Sequence, residues 1–230
     1  MKSQERTASL RKEVYLEAAK KMPQALSTLV DVANKDETFV ISDDLNDFFY
    51  VAAQVQLVAE PATASLINDL VLLYNGVVMT SAFGRDALCA AIIETKRLTK
   101  KRDFSLSESE RVSHEMQKLA DATPADSKVM QALMVSYLKY SAEAHDAKLE
   151  LTEYERKTVL ERFRLLQLLL PDLKAIAKMQ VGVLVGIRSD LGLSSDIDLL
   201  NAQSEKQLAA IEHMIEHLDD LIKEHGLADV

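Results

Sequence analysis

A chain of 230 residues that is 48% hydrophobic can bury a sizeable core, and six glycines, four prolines and no tryptophan leave it dominated by residues that lose little on entering a helix. A formal charge of −9 and a pI near 5.1 argue against nucleic-acid binding, because phosphate recognition releases counterions to a basic face. The single cysteine, Cys89, sits in the apolar run Ala87-Leu88-Cys89-Ala90-Ala91-Ile92 with no disulfide partner in the chain, and no apolar leader follows the charged start, so a reducing, cytoplasmic setting is expected.

The first predicted helix covers about residues 5–34, with Leu10, Val14, Ala18, Ala25, Leu29 and Val32 recurring at helical spacing. Pro23 should kink it or divide it in two, and the polar run Lys35-Asp36-Glu37-Thr38 should end it. A second helix starts after Ser42, capped by that hydroxyl and favoured by Asp43 and Asp44 at the positive end of its dipole. It stops before Pro61, because a residue preceding proline is pushed out of helical space; Pro61 then opens the next helix at its first position.

The third helix is predicted to run to about Lys101. Its middle (Leu70, Val71, Leu72, Leu73, Tyr74, Val77, Val78, Met79, Phe83) is apolar on every side, which predicts a central position. Residues 70–84 carry no charge, but fifteen residues fall short of the roughly 20 that a spanning helix needs. Lys96, Arg97, Lys100, Lys101 and Arg102 follow; they suit the negative end of a helix dipole and also form a candidate patch for an anion or an acidic partner. Ser107 and Glu110 stand at capping-box spacing and predict a short fourth helix ending near Asp121.

Thr123-Pro124 should restart the chain in a fifth helix that meets no breaker until Pro171. Met130, Leu133, Tyr137, Tyr140, Ala144, Ala147, Leu151, Tyr154 and Thr158 alternate there in steps of three and four, a heptad seam with charged flanks. A narrow seam of this kind needs cover from another helix. After Pro171 a helix should reach about Asp190 and close on Gly192 in the left-handed conformation. Gly182 and Gly186, four apart among valines, are expected to let a neighbouring helix approach closely. Ser195, Asp196 and Asp198 open the last helix, where Leu208, Ile211, Ile215, Leu218 and Ile222 form a second seam. The two seams are natural partners, within one chain or between two.

No catalytic site emerges from the motifs. His213 and His217 are one turn apart, as zinc ligands can be, but fall opposite the apolar seam. His114-Glu115 begins a zinc-protease pattern whose second ligand position is Lys118. No nucleophile elbow, phosphate loop or dinucleotide turn is present. The expectation is therefore an all-α fold, an elongated antiparallel helical bundle with long coiled-coil-like helices, divided into residues 1–122 and 123–230. The expected function is non-enzymatic interaction or scaffolding along the seams, with helices of its own copies or of other proteins, as a homo-oligomer and without cofactor or metal. The alternatives are a membrane-active, pore-forming-like protein and an acidic inhibitor or immunity-type protein.

Overall fold

A computed structural model describes residues 2–32, 43–121, 126–194 and 196–224. The fold is all-α: helices α1 (Lys2–Asp31), α2 (Asp43–Val58), α3 (Pro61–Gly84), α4 (Asp86–Asp121), α5 (Ser127–Asp190) and α6 (Ile197–Glu224), with no strand among the described residues. Two compact units divide the chain, one of residues 1–86 with 161–230 and the other of residues 87–160, so that the 122/123 position falls inside the second.

In the first unit α1, α2 and α3 pack as successive antiparallel neighbours. Lys21 pairs with Asp47 at 2.7 Å and Thr28 Oγ1 donates to Asp44 at 3.3 Å, while the Phe48 and Tyr74 rings meet at a tilt with centroids 4.4 Å apart and Gln56 reaches Asn68. Position numbers rise on one helix as they fall on the next, which defines the direction. The second half of α5 lies against α1 and α3, burying Leu165, Leu166, Leu169, Leu173, Ile176 and Val183. Pro171 does not break α5. An internal proline costs about 3 kcal/mol, whereas burying each of the leucines around it contributes about 1.5–3 kcal/mol, so packing overrides the breaker. Pro23 is likewise inside an undivided α1.

The chain breaks instead at Arg85 (φ −86, ψ −9), which separates α3 from α4 where one helix to Lys101 was expected. Gly84, just before it, sits where α5 comes close: a Cβ there would lie 3.1 Å from Leu165 Cδ1 and 3.3 Å from Leu168 Cδ2, a tight contact with the tips of two leucine side chains. Asp86 then supplies the acidic first turn of α4. The capping box at Ser107 and Glu110 is not used, because α4 runs through it to Asp121. Glu60 is extended (φ −63, ψ 152) with Pro61 opening α3, as the residue types dictate.

The second unit is built on α4 and the first half of α5, paired antiparallel through Thr95 with Thr158, Phe104 with Tyr140 and Ser105 with Glu143. Asp126 caps α5, its carboxylate accepting from the amides of Lys128 at 2.9 Å and Val129 at 3.3 Å; Thr123 and Pro124 lie outside the described residues, as do Asn34, Ser42, Ser195 and the polar run from Lys35 to Thr38. Asp196 caps α6 by accepting from the Leu199 amide. Gly192, at φ +68, closes α5: its amide bonds the Ser189 carbonyl and the Leu193 amide the Arg188 carbonyl. These are the two bonds of a Schellman stop.

Candidate functional site

Helix α3 exposes apolar side chains opposite its packed face. Its buried residues (Thr63, Ile67, Leu70, Tyr74, Val77, Val78, Ser81) share one face. Leu72, Met79 and Phe83 stand on the opposite face and are exposed, Phe83 to 73%. Gly76 lies on the same line, and a Cβ added there meets nothing within 4 Å. The helix is therefore apolar on two sides and covered on one, not central. An 18-residue window within it has a mean hydropathy of 1.4 with 33% of the window buried, the one helix of this length and apolarity among the described residues.

Two polar anchors hold α3 to the rest of its unit. At mid-length, the Tyr74 hydroxyl donates to the Met22 carbonyl at 2.9 Å, and Gln180 Nε2 donates both to that carbonyl at 2.8 Å and to Tyr74 Oη at 2.7 Å. The triangle is buried, and burial drives the Tyr74 phenol well above its ordinary pKa even though the Gln180 bond opposes the shift. Beside it lies a cavity of about 150 Å³ bounded by α1, α5 and α6, whose walls include Ala19, Pro23, Gln180, Leu200 and Ser204. Pro23 has no amide for the Ala19 carbonyl, so a helix bond is missing at the cavity wall.

At the start of α3, Asp190 forms the second anchor. Its Oδ2 accepts from the Tyr15 hydroxyl at 2.5 Å and the Glu60 amide at 3.1 Å, and its Oδ1 accepts from Thr63 Oγ1 at 3.1 Å. One carboxylate at the end of α5 thereby ties α1 to the first turn of α3, where the helix dipole favours negative charge. Burial first, then the bond to Asp190, raises the Tyr15 pKa. Arg11 adds an exposed pair to Glu60 at 2.8 Å. The anchor rests on a close approach: a Cβ at Gly186 would lie 2.8 Å from Thr63 Oγ1, whereas one at Gly182 would meet nothing within 4 Å.

The α5 seam is covered in part from within the chain. Ala144, Ala147 and Leu151 are buried, Met130, Leu133, Tyr140, Tyr154 and Thr158 half-buried, and Tyr137 is 38% exposed. Its cover is α4, which has a heptad of its own that sequence reasoning passed over: Leu88, Ala91, Thr95, Leu98, Arg102, Ser105, Ser109 and Val112 are all buried or half-buried. α4 thus covers part of the seam, and Tyr137 stays exposed. In α6, Ile211 and Ile222 are buried and Leu208 and Ile215 half-buried, with Lys174 of α5 pairing Glu212 at 2.6 Å; the Leu218 side chain lies outside the described ones.

The basic run lies in the middle of α4, so it does not serve a helix terminus as dipole logic suggested. Arg97 pairs with Glu94 at 2.7 Å and Arg102 with Asp103 at 2.8 Å, and Lys96, Lys100 and Lys101 are exposed. His213 and His217 are exposed on α6, and no cluster of three or more metal-ligating side chains occurs among the described residues. Comparison with family models, curated proteins and solved structures returns no match to this chain.

Proposed function

We propose that this chain is a non-enzymatic helical interaction protein that engages its partner through the outer face of α3. The observation that carries the reading is the exposed line of Leu72, Gly76, Met79 and Phe83 on a helix whose other face is already packed. Exposed apolar faces of this kind cost solubility unless something covers them, and self-association or a second helical protein supplies such cover. The reading rests on α3 and not on the heptad seams, part of the α5 seam being in contact with α4. The double substitution Leu72→Glu with Phe83→Glu should leave the helical content intact while abolishing concentration-dependent association in light scattering. A strictly monomeric parent protein without a capturable partner would overturn the self-association form.

A second reading, a membrane-active protein, is favoured by the dimensions of the same helix. Its 24 residues extend about 36 Å at 1.5 Å per residue, against a hydrocarbon core of roughly 30 Å. The charge-free stretch from 70 to 84 is bounded by Asp69 and Arg85. Flotation with phosphatidylcholine vesicles tests it: binding that the double substitution abolishes supports insertion of α3, and absence of binding removes the reading.

A further inference from the structure

The apolar and polar contacts of α3 differ in what a bilayer can replace. Ile67, Leu70 and Val77 are fully buried against protein, and hydrocarbon would cover them equally well. Hydrogen bonds have no such substitute, because lipid tails offer neither donors nor acceptors. The barrier to undocking α3 therefore resides in its polar anchors. The Tyr74, Gln180 and Met22 triangle is buried, whereas the bonds at Asp190 lie at the edge of the unit, two of them part-buried and the Glu60 amide bond exposed.

Resting on the membrane reading, we propose that Asp190 is the clasp that keeps α3 docked and that its opening is the first step in transferring this helix to a bilayer. Three donors from two separate elements, Tyr15 on α1 and Glu60 and Thr63 at the α3 start, converge on one carboxylate. Gly186 holds α5 close enough to Thr63 for the Oδ1 bond to form. Lost acceptance at Asp190 frees the first turn of α3 while the packing of its middle is untouched, so opening begins at residues 60–67.

The test uses the full chain and the near-isosteric Asp190→Asn, in which one carboxylate oxygen becomes an amide donor. Tyr15→Phe removes a single hydroxyl and guards against misfolding of the first variant. Amide exchange over residues 64–67 should rise about tenfold in Asp190→Asn and less in Tyr15→Phe, with residues 140–150 unchanged. The fraction bound to phosphatidylcholine vesicles should rise by about the same factor. Unchanged exchange over 64–67, or an equal rise over 140–150, would overturn the clasp. Exchange that responds while no variant binds vesicles would keep the clasp and overturn the bilayer transfer.

Discussion

Two glycines four residues apart on α5 have opposite structural meanings. Gly186→Ala places a methyl 2.8 Å from Thr63 Oγ1, a buried atom already committed to Asp190, so the helices must shift. A loss of about 1–3 kcal/mol in denaturant unfolding is expected. Gly182→Ala meets open space and should gain up to about 1 kcal/mol from helix propensity alone. Equal effects at both positions would contradict this distinction. Tyr74 gives a second residue-scale prediction. Tyr74→Phe leaves one Gln180 hydrogen without its phenol acceptor and should cost about 1–3 kcal/mol. The parent protein keeps the Tyr74 phenol protonated when folded, while the unfolded chain releases that proton near pH 10. The unfolded state then binds fewer protons, so stability falls as pH rises above about 10, by up to about 1.4 kcal/mol per unit. Stability measured between pH 9 and 11.5 should show this slope in the parent and a shallower one in Tyr74→Phe.

The pairing of α4 with α5 depends on small side chains. Ser105 and Ser109 are buried on α4, and Ala144 and Ala147 on α5, so both helices present little volume at the middle of the seam. Ala147→Leu should overpack this contact and cost about 1–3 kcal/mol, whereas substitution at exposed Lys148 should change stability by less than about 0.5 kcal/mol. Hydrogen exchange over residues 98–112 should report the loss on the partner helix. The smallness of these residues also hid the α4 heptad: Thr95, Arg102, Ser105 and Ser109 do not read as apolar, although they fall in steps of three and four. A clearer signal marked the α3 to α4 break, where Gly84 and Asp86 form a helix stop and start around one residue.

For the molecule as a whole, the decisive quantity is how much apolar surface stays uncovered. If α3 works through its outer face, Leu72→Glu with Phe83→Glu changes association but not folding, since exposed substitutions away from packed contacts usually alter stability by less than about 0.5 kcal/mol. A large fall in melting temperature would instead show that this face is buried in the working state. Each half of α5 belongs to a different compact unit, although the helix runs unbroken for 64 residues.

The sequence by itself determined the helical class, the opening of α3 at Pro61 and the Gly192 stop, because each depends on local backbone chemistry or on periodicity within one segment. Only tertiary structure decided that α4 lies against the first half of α5, that Pro171 is absorbed, and that an all-round apolar helix stands at the surface. Those outcomes depend on contacts between residues far apart in the chain. The Asp190 anchor illustrates this: it joins positions 15, 60, 63 and 190, and no local pattern relates them.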